Sequence, residues 1–311
     1  RKTAGPNRNR GCVALAVSPD LQQWKVREPF WAPDEYFTHE CPDLFRIGDW
    51  WYLIYSTFTE RCVTHYRMSR SLQGPWRAPE NDTFDGRAYY AAKTAGGDGQ
   101  RFIFGWLPTK NEEQDANGWQ WGGDLVVHEV LQRPDGTLKV VLPKSVRAEF
   151  STNQPVSPVP MFGNWHFAGE TIESASIGRL SMLTLGELPQ ECLLETTMAF
   201  QHGTYNFGLL LRVSDDAEKY YQVRFEPGNQ RVVVDRWPRP GDQAFMLERP
   251  VRLMPEQPIN VSALISGSCL VVYVNDEIAL SCRMYDHSTG NLGLFVTEGN
   301  VEFAKIAIQT R

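Results

Sequence analysis

Long apolar runs are missing from this chain of 311 residues: no stretch approaches the roughly 20 consecutive apolar residues that a membrane-spanning helix requires. Helical periodicity is scarce as well, with no long window carrying apolar residues at i, i+3, i+4 and i+7. Positive charge is neither abundant nor clustered. The 31 Lys and Arg are scattered against 37 Asp and Glu, and the net charge of -6 argues against nucleic acid or an anionic membrane as partner. The six cysteines (Cys12, Cys41, Cys62, Cys192, Cys269 and Cys282) show no CxxC spacing and no His-rich neighbourhood, so neither a zinc site nor any other metal or cofactor is expected. A chain of this size does not depend on disulfides, and free buried thiols are the simpler expectation. No signal peptide is read, and a cytoplasmic location is favoured over secretion. The sequons Asn81-Asp82-Thr83 and Asn260-Val261-Ser262 matter only to a secreted eukaryotic protein.

What is present is short strand-like runs punctuated by Gly, Pro, Asn and Asp. Trp51–Ser56, Gln100–Trp106, Asp124–Leu131, Leu209–Val213, Tyr220–Phe225, Arg231–Arg236, Val261–Leu264 and Cys269–Asn275 are the clearest, and together they predict an all-β protein. The first half repeats itself. Ser18-Pro19-Asp20-Leu21-Gln22-Gln23-Trp24 returns as Ser69-Arg70-Ser71-Leu72-Gln73-Gly74-Pro75-Trp76, and Gly48-Asp49-Trp50-Trp51-Tyr52 returns near Gly97-Asp98-Gly99-Gln100-Arg101-Phe102. Both offsets are about fifty residues, the length of one four-stranded propeller blade. The Pro- and Ser-rich stretch 149–160 reads as a linker between a propeller domain (1–150) and a second domain (160–311). Turn signals at Asp215-Asp216, Pro227-Gly228-Asn229, Asn275-Asp276 and Thr289-Gly290-Asn291 suit a β-sandwich there.

The run His39-Glu40-Cys41-Pro42-Asp43-Leu44-Phe45 heads a strand, and a Gly48-Asp49 turn leads on to the aromatic strand Trp50-Trp51-Tyr52-Leu53-Ile54-Tyr55. Strands disfavour Glu, Asp and Pro, so the carboxylate of Glu40 is out of place on structural grounds. Either Glu40 is an exposed strand end, or it is a general acid, since a carboxyl packed beside aromatic rings is favoured in its protonated form. Ten Trp and 12% aromatic residues suit stacking on sugar C–H faces and a packed β core equally.

These strings carry a resemblance. Glu40-Cys41-Pro42-Asp43-Leu44-Phe45 resembles the acid/base motif of glycoside hydrolase family 32, the fructan hydrolases and invertases. Asp85-Gly86-Arg87-Ala88-Tyr89-Tyr90-Ala91 is similar to that family's Asp-Tyr-Gly-x-x-Phe-Tyr-Ala strand, one residue shorter. Gly105-Trp106 resembles its Gly-Trp, and Trp121-Gly122-Gly123-Asp124-Leu125 the start of its last propeller segment, with His128-Glu129 in place of Pro-Arg. Val234-Asp235-Arg236 and Leu270-Val271-Val272-Tyr273-Val274-Asn275-Asp276 resemble its sandwich strands. The resemblance implies a five-bladed propeller, present here only in its later blades, followed by a C-terminal β-sandwich. It further implies retaining hydrolysis of β-fructofuranosides with Glu40 as acid/base, a sugar pocket lined by Asp85, Tyr90, Trp106 and Trp121, and an oligosaccharide or polysaccharide as partner. Trp119 offers a further ring. Asp43 is a weak nucleophile candidate and is better read as holding neighbouring backbone; His39 and Cys41 are read as packing beside Glu40.

The family's Trp-Met-Asn-Asp-Pro-Asn segment, whose Asp is the nucleophile, has no counterpart here, nor has its Arg-Asp-Pro. A complementary N-terminal segment carrying that Asp is therefore an expected partner. Two other readings stay open. One is an inactive carbohydrate-binding or scaffold homologue. The other is an arabinofuranosidase of the family 43 type, which shares a Glu-x-Pro motif and a Gly-Pro-Trp like Gly74-Pro75-Trp76.

Overall fold

The computed structural model describes residues 2–97, 99–239, 241–242 and 245–311. Asp98, in the repeated Gly-Asp turn, lies outside them. The chain is all-β, with propeller blades followed by a β-sandwich. Its α-helix among the described residues is one short turn, Lys144–Ala148, and no helix there is long and apolar enough to cross a membrane.

Two compact units are formed: one by residues 1–108 and 123–139, the other by 109–122 and 140–311. In the first, β1 (Ala16–Val17) and β2 (Lys25–Val26) make an exposed two-stranded ribbon. Then β3 (Glu40–Ile47), β4 (Trp50–Thr57) and β5 (Val63–Ser69) form a three-stranded meander. β6 (Tyr90–Gly97), β7 (Gln100–Lys110), β8 (Trp119–Gln132) and β9 (Leu138–Val141) form a four-stranded one. Each is antiparallel in sequence order, and Gly48 and Gly99, between the first two strands of each, take the positive φ that glycine allows.

The two sheets repeat in register as well as in sequence. Glu40 pairs with Ser56 and Asp43 with Ile54; Tyr90 pairs with Trp106 and Lys93 with Phe104. Each first strand carries a bulge just after its first residue, with positive φ at Cys41 (49°) and Ala91 (52°). Such bulges re-aim a side chain at a strand end. Between the sheets, Tyr52, Tyr66, Phe84 and Tyr89 are fully buried. Tyr66 packs on Phe84 at 5.1 Å, and its hydroxyl accepts the Leu138 N–H. Gly105 has no side chain because a Cβ there would stand 2.5 Å from the Tyr89 ring.

In the second unit, the stretch 149–160 differs from the linker expected of it. Thr152–Gln154 (β10) pairs with the C-terminal strand, and Val159–Phe162 (β11) pairs with the long strand that follows it. Proline is tolerated at such sheet edges, where a missing N–H costs no ladder bond, so Pro160 does not prevent pairing. The remaining strands are β12 (Trp165–Ala168), β13 (Thr171–Glu187), β14 (Glu191–Phe200), β15 (Asn206–Val213), β16 (Tyr220–Glu226), β17 (Arg231–Trp237), β18 (Leu247–Pro250), β19 (Ile259–Ser266), β20 (Cys269–Val274), β21 (Ile278–Arg283) and β22 (Asn291–Thr310). The first part of β22 pairs with β15 and the last part with β14. The strand thereby joins the β15–β18 group to the β14–β19–β20–β21 group, with one apolar core built from both.

Candidate active site

The bulge at Cys41 sets Glu40, half-buried, at the head of β3. Fifty residues on, the matching bulge at Ala91 sets Tyr90 at the head of β6, and its hydroxyl donates to Glu40 Oε2 at 2.7 Å. The two equivalent positions of adjacent blades therefore meet. Polar groups behind them fix the geometry. The Ala91 N–H donates to Ser56 Oγ, and Ser56 is Glu40's own cross-strand neighbour. Ser56 Oγ lies 2.9 Å from Thr64 Oγ1, and the Thr64 N–H and hydroxyl both donate to the Tyr89 carbonyl. One Ser–Thr pair thus positions both the strand of the carboxylate and the strand of the phenol.

Burial, and then the bond to Glu40, raise the Tyr90 pKa far above the ordinary phenol value, so Tyr90 stays a hydrogen-bond donor at all working pH values. The half-buried ring of Trp106, its cross-strand neighbour, lies 6.1 Å from the Tyr90 ring at 33°. Glu40, Tyr90 and Trp106 form one group: a carboxyl, a phenol donor and an indole surface.

The other carboxylates near these strands are committed. Asp43 Oδ2 accepts both the N–H and the hydroxyl of Thr94, each at 2.7 Å, and Lys93 Nζ donates to the Pro42 carbonyl at 2.6 Å. These bonds join β3 to β6. Asp85, expected to line the pocket, is fully buried instead. Its Oδ2 lies 3.0 Å from Nε2 of the equally buried His128, and its Oδ1 accepts the Gly86 N–H at 2.5 Å. An ionisable group withdrawn this far from water needs such a partner, and as placed it presents no oxygen to a ligand arriving from solvent. Trp121 belongs to the second unit and is 68% exposed. Trp119 packs on the sandwich core.

A buried polar cluster lay outside the sequence reading. Arg67 Nη1 donates to Asp82 Oδ2 at 2.6 Å, His65 Nδ1 lies 3.0 Å from the same oxygen, and Arg67 Nη2 reaches Glu35 at 3.3 Å. Burial opposes ionisation of Asp82, but the bonds from His65 and Arg67 outweigh it and hold the carboxyl well below the usual range. The guanidinium also lies over the Tyr55 ring at 5.3 Å. Tyr55 in turn packs on His39 at 4.6 Å, and His39 stacks on Trp31 at 4.8 Å. Burial drives the His39 pKa down to about 4, so the imidazole beside Glu40 is neutral at pH 7. His65 and Asp82 are separated by 17 residues with no motif between them, so only the fold reveals the pair.

The first unit is thus of the β-propeller class, with a carboxyl at the head of a bulged strand, and the second is a β-sandwich. The profile described as the N-terminal domain of glycosyl hydrolases family 32 matches residues 2–138, and that described as the family's C terminal matches 169–310. The chain belongs to glycosyl hydrolase family 32. It is 24% identical to a raffinose invertase of Escherichia coli over 94% of its own length and 60% of the relative's. A sucrose-6-phosphate hydrolase of the same organism is 21% identical over 94% and 59%. The chain thus spans about three-fifths of the length of these relatives. In fold it is similar to a β-fructofuranosidase of Aspergillus kawachii (TM-score 0.69, 14% identity, 97% of this chain and 65% of that one). It is also similar to an exo-inulinase of Aspergillus awamori (TM-score 0.66, 16% identity, 96% and 62%).

Proposed function

We propose that this chain supplies the acid/base part of a retaining β-fructofuranosidase, acting on sucrose or a fructan. The observation that carries the reading is the Tyr90 hydroxyl bound to Glu40 Oε2 at two matched blade bulges. With Oε2 engaged, Oε1 faces the leaving group. In the first step Glu40 gives its proton to the glycosidic oxygen as the C–O bond breaks, while a second carboxylate attacks the anomeric carbon. In the second step Glu40, now ionised, takes a proton from the water that displaces that carboxylate. Retention needs the two carboxyls about 5–5.5 Å apart.

Asp43 and Asp85 are engaged by Thr94 and His128, so we assign them to holding the blades and look elsewhere for the nucleophile. An N-terminal segment bearing an Asp fills that role. The β1–β2 ribbon supports a covering partner: Leu21, Trp24 and Val26 are 78, 57 and 83% exposed, an apolar surface that is unfavourable in water. Trp106, which packs beside Tyr90, is assigned to stacking on the sugar.

The test is hydrolysis of sucrose and of a nitrophenyl β-fructofuranoside by the chain completed with its upstream segment, beside the same protein carrying Glu40→Ala. Turnover abolished by the substitution is the expected result. Turnover of an arabinofuranoside but of no fructofuranoside would overturn the substrate assignment. Binding without turnover by the completed wild type would mark a lectin-like homologue.

A further inference from the structure

The sandwich unit holds a cavity of about 570 Å³ between β12, β13, β14 and β22, inside the range of about 300–1,000 Å³ usual for small-molecule sites. It shares no residue with the Glu40 group. Its floor is apolar. Phe200 and Val301 are each 3% exposed, with Ala175, Ala199 and half-buried Trp165 beside them. The indole is fixed in advance: its Nε1–H donates to the carbonyls of Phe162 and Met182, and the ring packs 6.3 Å from Phe303.

The rim is rich in hydrogen-bond acceptors. Glu173 and Glu302 stand directly opposite each other on β13 and β22, an arrangement of like charges that destabilises a sheet. Among the described residues neither has an ion-pair partner or a side-chain hydrogen bond, and the same holds for Glu256 across the cavity. Asn300 donates its Nδ2–H to Gln201 at 2.8 Å, which leaves Asn300 Oδ1 buried without a donor. A metal ion does not account for this excess of acceptors, because no three His, Cys, Asp or Glu among the described residues converge closely enough to hold one. What matches an apolar floor under a rim of exposed carboxylates and one buried acceptor without a donor is a neutral ring with C–H groups on one face and hydroxyl donors around its edge.

We infer that this cavity is a second carbohydrate site, taking a neutral sugar unit whose hydroxyls donate to Glu173, Glu302 and Asn300. It rests on the fructoside reading only for the choice of sugar. On a polymeric substrate such a site raises the effective concentration of chain around the protein without entering the chemistry.

The test is calorimetric titration of the protein with short fructo-, arabino- and xylo-oligosaccharides. The proteins compared are wild type, Glu40→Gln and Glu173→Ala/Glu302→Ala, with Gln201→Ala as a second rim variant. Relieving a like-charge pair favours the fold, so the double variant is expected to melt at or above the wild-type temperature. Glu40→Gln keeps a sugar-binding event. Each lost carboxylate contact weakens that event about tenfold, while hydrolysis of a nitrophenyl fructofuranoside by the completed enzyme is unchanged in the rim variants. Binding of an arabino- or xylo-oligosaccharide that the rim variants lose sustains the site while refuting the fructoside reading. Binding that disappears with Glu40→Gln but survives the rim variants overturns the inference. So does a cavity that takes an oligolysine peptide and no sugar.

Discussion

His39 precedes Glu40, and its burial makes a sharp prediction for stability against pH. The ring is 6% exposed, stacked on Trp31 and packed against Tyr55. Neither ring nitrogen makes a hydrogen bond of ordinary geometry, and the Glu35 carbonyl nearby offsets only part of the burial. The pKa falls from 6.5 to about 4, with the Arg67 charge adding to burial. The unfolded chain therefore binds a proton at residue 39 below pH 6.5, and the folded chain only below about 4. Between those values the unfolded state holds more protons, so stability falls as pH drops and loses about 3 kcal/mol in full. From pH 7 to pH 5 the loss is about 2 kcal/mol.

His39→Phe keeps a ring against Trp31 and removes the titration. Urea unfolding at the two pH values should show the wild type losing about 2 kcal/mol more than the variant. His65, also held neutral by burial against the pull of Asp82, adds to the pH dependence of both proteins and cancels in the comparison. Equal losses in the two proteins would refute the account of a neutral imidazole packed behind the acid strand.

Other substitutions separate positioning from packing. Tyr90→Phe removes a hydrogen bond to a carboxyl group, worth about 1.5–3 kcal/mol. In the full-length protein kcat/KM for a β-fructofuranoside should then fall about ten- to a hundredfold, with the melting temperature moved by only a few degrees. Asp43→Ala leaves the Thr94 N–H and hydroxyl without their acceptor; a loss of about 1.5–3 kcal/mol in denaturant unfolding is expected. Asp85→Ala removes the carboxylate that lies 3.0 Å from buried His128, and a loss of about 1–3 kcal/mol in denaturant unfolding checks that Asp85 holds the fold. Gly105→Ala forces a methyl onto the Tyr89 ring, and should cost about 1–3 kcal/mol in the same assay.

Much of this fold is legible where the chain punctuates itself. The runs read at Trp51–Ser56, Tyr220–Phe225 and Cys269–Asn275 fall on β4, β16 and β20 to within a residue or two, because Gly, Asn and Asp mark their ends. The fifty-residue repeat surfaces as two sheets with the same pairing and the same bulge. The long strands β13 and β22 were harder to read. Gly178, Gly186, Gly293 and Gly299 interrupt their apolar pattern where they bend or pass close to neighbouring backbone, and so resemble loop signals. Asp85 shows where local reading stops. Asp-Gly is a turn signal and an acidic residue is a binding candidate, but the partner that fixes its place, His128, lies 43 residues away. Ser56 and Thr64 carry no motif at all, and their part in placing Ala91 beside Glu40 emerges only from packing between sheets.

The most direct test of Glu40 as acid/base is anion rescue. The full-length protein carrying Glu40→Ala is assayed on sucrose and on a nitrophenyl β-fructofuranoside, with and without azide. Loss of proton donation should slow sucrose hydrolysis by about 10²–10⁴-fold. The substrate with the better leaving group should suffer less, and azide should restore its turnover with β-fructosyl azide as product. Sucrose hydrolysis by Glu40→Ala at the wild-type rate would contradict the assignment.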